Sequence, residues 1–174
     1  MTMRGAARWS FMVLGAIVVV LGFWTVHCFR LGLNGSGSLP ENAFLLWTWP
    51  KVIRPGVVIA ADPPEAVRDR FEGVYFMKRV VGVAGDVIRH DADGAVCVRA
   101  RCFPPLMVEG RPFAPALPEG VIPEGAVAAF GDSPDSLDSR YAIIGLFPVA
   151  QVQAVGFGAS FVPHWTVIAK WLNE

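Results

Sequence analysis

The longest apolar run in the chain covers residues 11–29 and contains no formally charged side chain. A helix of that length, rising about 1.5 Å per residue, roughly spans the hydrocarbon core of a bilayer. Arg4 and Arg8 precede the run, and because a basic flank usually remains in the cytosol, the pattern predicts that the rest of the chain lies outside. A cleaved secretory signal is the alternative, but the apolar part is long and no Ala-x-Ala cleavage site follows it. The predicted organisation is a cytoplasmic N-terminus (1–10), a transmembrane anchor (11–29) and an extracytoplasmic domain (30–174).

Beyond the anchor, short apolar runs are separated by glycine- and proline-rich turns, a pattern that predicts a mainly β domain. Residues 62–72 open with Asp-Pro-Pro-Glu, a helix-start signature, and predict one short amphipathic helix. Residues 103–125 are rich in proline and lack periodicity, which indicates a long ordered loop or flap. The apolar tail over residues 160–174 is compatible with a short interfacial helix. The predicted strands are residues 43–49, 56–61, 73–84, 87–90, 95–98, 126–130, 141–147 and 149–157.

The strand predicted over residues 73–84 carries one polar side chain on an otherwise apolar face. Its alternation places Lys78 on the same face as Val74, Phe76 and Val80. A lysine held there loses hydration, which lowers its pKa, and a neutral amine can accept a proton. An edge-strand lysine whose stem reaches out to water is the alternative.

Two serines lie two residues apart in the glycine-rich segment Asn-Gly-Ser-Gly-Ser-Leu-Pro over residues 34–40. In an extended segment, residues i and i+2 point to the same side, so Ser36 and Ser38 can face one reacting group. A plain juxtamembrane linker has the same composition and is the alternative.

The balance of charges limits the classes of partner. Fifteen lysines and arginines match fifteen aspartates and glutamates, so a nucleic-acid partner, which would require a basic excess, is not expected. Trp24, Trp47 and Trp49 suit either a membrane surface or a protein core, which makes membrane lipid a candidate partner.

The cysteines and histidines narrow the chemistry further. Cys97 and Cys102 lie five residues apart in a predicted tight hairpin, and a local disulfide is expected if the domain is extracytoplasmic. A metal site would need more ligands nearby than this segment offers. His27 lies in or at the membrane, His90 ends a strand and His164 lies in the tail, so none of them suits a Ser-His-Asp arrangement.

Three segments that follow the anchor in order resemble the motifs of the type I signal peptidases, which are membrane-bound serine proteases with a Ser/Lys dyad. They are Ser-Gly-Ser-Leu-Pro over residues 36–40, Tyr-Phe-Met-Lys-Arg-Val-Val-Gly-Val-Ala-Gly-Asp over residues 75–86, and the Gly-Asp-Ser block over residues 131–141. The resemblance implies a compact antiparallel β-sheet or barrel domain on one N-terminal transmembrane helix.

The same resemblance assigns roles to individual residues. It implies that Ser38 is the nucleophile, that Lys78 is the general base, and that the Ser38 N–H and the Ser36 hydroxyl form the oxyanion hole. No cofactor or metal is expected. The supporting residues implied by the third block are Ser136, which orients the lysine amine, and the ion pair Asp138 and Arg140.

Two details resemble one compact branch, the conjugative transfer peptidases of the TraF type, which process pilin subunits. The proline follows the serine at the second position in Ser38-Leu39-Pro40, and the segment between Asp86 and Gly131 is short. That branch implies a precursor pilin as substrate and an inner-membrane protein with a periplasmic catalytic domain. It also implies an acyl-enzyme that is resolved by water or, with cyclisation, by an internal amine.

Three other functions remain as alternatives. The first is a general type I signal peptidase with many secretory substrates. The second is an anchored assembly factor that binds pilin or another envelope protein without catalysis. The third, a self-cleaving repressor with the same dyad, is disfavoured by the anchor and by the absence of a DNA-binding half.

Overall fold

One long helix precedes a mainly β domain in a computed structural model, which describes residues 3–159 and 161–162 and the side chains from residue 9 onward. Helix α1 covers Met3–Cys28. Its segment Trp9–Cys28 is long and apolar enough to cross a membrane, by length and composition, and only 6% of it is buried within the protein. The tail predicted as an interfacial helix lies outside the described residues, apart from residues 161 and 162.

Thirteen strands follow in the part of the chain that the structure describes. They are β1 Phe29–Leu33, β2 Ala43–Trp47, β3 Val58–Ala61, β4 Phe76–Gly82, β5 Val87–His90, β6 Val96–Val98, β7 Arg101–Phe103, β8 Met107–Val108, β9 Arg111–Pro112, β10 Gly120–Val121, β11 Ala126–Phe130, β12 Phe147–Pro148 and β13 Val152–Gly158. Seven strands form a curled main sheet in the order β1-β2-β13-β3-β4-β11-β12, and every pairing in it is antiparallel. Four strands form a smaller sheet, β10-β5-β6-β7, and β8 pairs with β9. The prediction of a mainly β, antiparallel domain behind one N-terminal apolar helix is confirmed.

The details depart from the predicted elements in several places. Of residues 141–147, predicted as a strand, only Phe147 belongs to one, β12, and residues 142–144 form a turn in which the N–H groups of Ile144 and Gly145 both donate to the Tyr141 carbonyl, at 3.1 and 2.9 Å. The predicted loop 103–125 contains the short strands β8, β9 and β10. Strand β1 was not predicted, because it follows the helix without a turn and its polar Arg30 and small Gly32 interrupt the apolar run.

The helix predicted over residues 62–72 is present only as a short 3-10 helix, Glu65–Arg70. It follows two prolines and buries a single side chain, Val67. Since one buried residue offers little packing to support an α-helix, the segment stays short.

Strand β4 lies in the interior of the main sheet, between β3 and β11. Ile59 of β3 lies opposite Lys78, and Phe130 of β11 lies opposite Arg79. Phe76 and Val80, two residues before and after Lys78, belong to the main hydrophobic core. The backbone of Lys78 is therefore paired with β3 on one side, and on the other side the pairing with β11 ends at the neighbouring residue, Arg79.

The loop over residues 34–42 joins β1 to β2 and returns the chain in the antiparallel direction. It is closed by a hydrogen bond from the Asn34 N–H to the Asn42 carbonyl at 2.9 Å, next to the last pair of the ladder, Leu33 and Ala43. Because β1 continues directly from α1, this loop lies one short strand away from the end of the apolar helix.

Candidate active site

The two hydroxyls of the loop over residues 34–42 contact each other. The Ser36 Oγ donates to the Ser38 Oγ at 3.1 Å, and the Ser38 backbone N–H donates to the Ser36 Oγ at 3.4 Å. The segment is not extended as expected, because Gly37 adopts a φ of +64°, a conformation that glycine reaches without steric penalty. The turn nevertheless brings both hydroxyls to one side, and Ser38 is only 6% exposed.

Lys78 is a buried amine in apolar surroundings. Its side chain is 5% exposed, and its Nζ lies 5.6 Å from the centroid of the Phe76 ring. Among the described residues, Lys78 makes no side-chain hydrogen bond or ion pair. Loss of hydration lowers the pKa of Lys78 from 10.5 to about 8, with a further lowering by Arg140 that is opposed by the negative charges of Asp138 and Asp135. A substantial fraction of this amine is therefore neutral near neutral pH.

One cleft of about 200 Å³ brings the predicted reacting groups together. Ser36, Ser38, Lys78 and Ser136 line it, and most of the remaining wall is apolar. No hydrogen bond joins Ser38 to Lys78 within this described cleft. Catalytic hydrogen bonds are often long or poorly aligned before substrate binds, so the arrangement is compatible with a nucleophile and a base.

The third sequence block is built around a buried ion pair. Asp138 and Arg140 are 0% and 3% exposed, and they form two parallel bonds of 2.9 Å, from Nε to Oδ1 and from a terminal nitrogen to Oδ2. The remaining donors of Arg140 reach four backbone carbonyls, those of Pro104, Gly131, Ser133 and Pro134. The pair therefore fixes the whole block as one unit.

Backbone groups of this block also hold the serine loop. The N–H groups of Asp132 and Ser133 donate to the Ser38 carbonyl at 2.8 and 3.2 Å. A Cβ atom at Gly131 would lie 2.7 Å from the Ser38 oxygen and 2.6 Å from the Ser136 Cβ, so a larger residue does not fit. The sequence marked Gly131 as part of a motif, but it contained no signal that this glycine packs against the serine loop.

The hydrogen bond that the resemblance implied between Ser136 and Lys78 is not formed in this structure. Ser136 is 3% exposed and its Oγ has no hydrogen-bond partner among the described residues. A buried hydroxyl without a partner costs about 1–3 kcal/mol. It lies in the cleft with an unused donor, available to an amine or to a bound substrate.

Cys97 and Cys102 are joined by a disulfide across β6 and β7, with an S–S distance of 2.04 Å. They do not line the cleft. Arg101, next to Cys102, forms an ion pair of 2.8 Å with Asp132 and so connects this hairpin to the block that holds the serine loop.

A second, larger groove of about 450 Å³ adjoins the cleft and shares three wall residues with it, Val74, Tyr75 and Met77. On the opposite side it is bounded by β1, the edge strand of the main sheet. The outer backbone groups of an edge strand are free to pair with another strand. The wall formed by β1 was not predicted from the sequence, because β1 itself was not predicted.

Comparison with known proteins agrees with the three motifs. A family model described as signal peptidase, peptidase S26, matches residues 3–165. No curated protein matches the chain significantly. Among solved structures, a signal peptidase I from Enterococcus faecalis V583 is 20% identical, with 60% of this chain and 97% of that chain covered and a TM-score of 0.38.

Proposed function

The chain belongs to the signal peptidase family S26, and we propose that it cleaves an exported precursor protein with Ser38 as nucleophile and Lys78 as general base. Membership makes it a signal-peptidase-like serine peptidase. The observation that carries the assignment of residues is the burial of Lys78 in the cleft that also holds the Ser38 hydroxyl.

Burial is what allows this lysine to act as a base. With a pKa of about 8, the amine of Lys78 is neutral often enough to take the proton of the Ser38 hydroxyl as Oγ attacks a peptide carbonyl. The same proton then passes to the leaving amine, and an acyl-enzyme on Ser38 remains. Water, or an amine of the substrate chain, then attacks the ester as Lys78 accepts its proton, and Lys78 returns that proton to the Ser38 Oγ as the product leaves.

The oxyanion that forms during attack requires preorganised donors. The Ser38 N–H and the Ser36 hydroxyl are the candidates, and in the free protein they are occupied by each other and by the Ser38 Oγ. A substrate carbonyl would replace these long contacts. A single donor of this kind typically contributes about 3 kcal/mol to the barrier.

The groove beside β1 is suited to an extended peptide. A substrate strand laid along the free edge of β1 would gain backbone hydrogen bonds and would reach the cleft past Tyr75 and Met77. Alternate side chains would then enter shallow apolar pockets. Small residues are therefore expected just before the cleaved bond.

We further propose a single-pass protein of the inner membrane with its catalytic domain in the periplasm. Support comes from helix α1 and from exposed apolar side chains near its end, including Trp49 at 65% and Val52 at 58%. The Thr48 N–H donates to the Cys28 carbonyl at 2.8 Å, which ties the segment that carries Trp49 to the end of the helix. Their exposure supports the proposal that this part of the domain contacts lipid.

For the substrate, we propose a conjugative precursor pilin. This finer assignment is supported by the spacing in Ser38-Leu39-Pro40 and by the short connection between β4 and the block at Gly131. A general signal peptidase is the second candidate, because the family model itself is that of signal peptidases.

The deciding experiment compares substrates and variants by intact mass. The full chain, or Ser38→Ala, is co-expressed either with a conjugative precursor pilin of the source organism or with an unrelated exported precursor. Trimming of the pilin alone, lost in Ser38→Ala, is expected. A trimmed product lighter by one further water would show that an internal amine resolved the acyl-enzyme.

Two outcomes contradict parts of the proposal. Cleavage of both precursors by the wild-type protein would remove the pilin assignment in favour of a general signal peptidase. Masses that are the same for wild type and Ser38→Ala with both precursors would remove the assignment of Ser38. The alternative of an anchored, non-catalytic binding protein would then be favoured.

A further inference from the structure

The side chain of Asn34 uses its whole hydrogen-bonding capacity inside the serine loop. Its Nδ2 donates to the carbonyls of Leu39 at 2.7 Å and Glu41 at 2.8 Å. Its Oδ1 accepts from the N–H groups of Ser36 at 3.3 Å and Gly37 at 3.2 Å. Two donors and two acceptors are all that a side-chain amide has. One half-buried amide therefore bridges the chain on both sides of Ser38.

Closure of the hairpin does not depend on this amide. The backbone bond between Asn34 and Asn42 closes the loop, and the Ser38 carbonyl is held separately by Asp132 and Ser133. The amide instead fixes the distance between the two halves of the loop. It fixes the N–H groups at residues 36 and 37 relative to the carbonyls at residues 39 and 41.

That distance determines where the reacting groups point. Ser36 and Gly37, which donate to Oδ1, directly precede Ser38, and the Ser36 hydroxyl is in contact with the Ser38 Oγ. Without the bridge, the left-handed turn at Gly37 is free to relax, since glycine has the widest range of backbone conformations. The Ser36 hydroxyl and the Ser38 N–H would then turn away from a common centre.

We infer that Asn34 is a positioning residue, which holds the Ser36 hydroxyl and the Ser38 N–H so that both face the carbonyl oxygen of a substrate bound at Ser38. The inference rests on the proposed function. It assigns no contact with substrate to Asn34 itself. Its effect is therefore expected in the chemical step rather than in substrate binding.

The test measures kcat and KM of the full chain in detergent micelles on a peptide that spans the cleavage site found by mass analysis. Asn34→Ala should lower kcat by about 100-fold, the loss typical of a misplacement of about 1 Å, and leave KM unchanged. The matched control is Asn42→Ala. Asn42 lies at the end of the same loop, but the one hydrogen bond that its side chain makes among residues 3–159 and 161–162 is to the Val162 carbonyl, at 3.3 Å.

A second variant covers the case in which Asn34→Ala fails to fold. Asn34→Asp has the same shape and keeps the acceptor for residues 36 and 37, but a carboxylate cannot donate to the carbonyls of Leu39 and Glu41. It should also lose kcat at unchanged KM. Both variants should lose kcat even at temperatures well below their melting points, whereas a purely structural role would lower the melting point and leave the kcat of the folded protein unchanged.

The outcomes separate this inference from the proposed function. Wild-type cleavage together with equal kcat values for Asn34→Ala and Asn42→Ala would overturn the inference alone. A loss of activity that follows the melting point would do the same, since it would assign Asn34 a structural role. A wild-type protein that cleaves neither precursor would overturn the proposed function and the inference together.

Discussion

Two buried cations lie close to the same cleft, and they differ in how many hydrogen-bond partners they have. Arg140 is 3% exposed, pairs with Asp138 through two bonds and donates to four backbone carbonyls. Lys78 is 5% exposed and makes no side-chain hydrogen bond or ion pair among the described residues. Burial of a charge is unfavourable unless partners compensate for the lost water. Compensation by direct partners is therefore nearly complete at Arg140, whereas the ammonium form of Lys78 is favoured only by the nearby charges of Asp138 and Asp135.

The difference follows from what each cation can do with its proton. A guanidinium remains charged at any pH a protein experiences, so a buried arginine needs a full set of acceptors. An ammonium can lose its proton, and an uncompensated lysine does so at a lower pH. Arg140 thus holds a loop in place, whereas Lys78 has the lowered pKa that its proposed role as general base requires. The comparison predicts that removal of each cation changes a different property.

Replacement of Lys78 should have the largest effect of the changes considered, and the property affected should be activity. Lys78→Met should lower kcat/KM by about 10⁴-fold, because the general base is lost. Lys78→Arg should be equally inactive, since its guanidinium stays protonated. Both are checked by cleavage of the precursor under single-turnover conditions. Wild-type turnover in either variant would remove Lys78 as the base.

The same Lys78→Met variant should be more stable than the wild type, with a defined pH dependence. The folded-state pKa of Lys78, about 8, lies below the unfolded value of 10.5, so folding requires loss of a proton between these values and is penalised below them. The gain in unfolding free energy should be fully present below pH 8, on the order of 3 kcal/mol at most, and should vanish towards pH 10.5. Urea unfolding at pH 7 and at pH 10 measures it.

Replacement of Arg140 should act on stability. Arg140→Met leaves the Asp138 carboxylate buried without its partner, a change that typically costs about 3–5 kcal/mol. The control is Arg101→Met, which breaks the more exposed ion pair with Asp132 and should cost no more than about 1 kcal/mol. Urea unfolding of both variants measures the difference. A loss of similar size in both would show that burial does not distinguish the two pairs.

The difference between Lys78 and Arg140 was only partly predictable from the sequence. The alternation around Lys78 predicted an amine on an apolar face, because the period of a strand depends on nothing outside the strand. The ion pair of Arg140 with Asp138 was implied only by the family resemblance, and the bonds of Arg140 to backbone carbonyls were not predictable, since one acceptor is as distant as Pro104. The amide bridge of Asn34 was missed for the opposite reason, because Asn and Gly are so common in turns that they carry no specific signal.

The same limit applies to the elements that were wrong. Residues 141–147 have the apolar content of a strand, but local hydrogen bonds to the Tyr141 carbonyl use the donors that a strand would need. Strand β1 has weak strand character of its own and is held by pairing with β2. Patterns within one element were thus predictable, whereas competition between local and distant partners was not.

Replacement of Asp135 should have the smallest effect, which should be a small shift in the pH dependence of cleavage. In the wild type, cleavage should increase about tenfold per pH unit up to about pH 8 and then level off, because only the neutral amine of Lys78 is a base. Asp135 lies at the solvent-exposed rim of the cleft, and its negative charge favours the ammonium form and so raises the pKa of Lys78. Asp135→Asn should therefore move the midpoint of the profile to lower pH and raise activity at pH 7. The shift should be smaller than about one unit, since solvent and salt screen an exposed charge.

The control for Asp135→Asn is Asp93→Asn, which makes the same change of charge at an exposed turn outside the cleft. Its pH profile of kcat/KM should coincide with that of the wild type. A midpoint that moved to higher pH in Asp135→Asn would contradict the assignment, because loss of a nearby negative charge can only favour the neutral amine. An unchanged midpoint would mean that Asp135 does not contribute, and that burial and the buried pair of Asp138 and Arg140 set the pKa of Lys78.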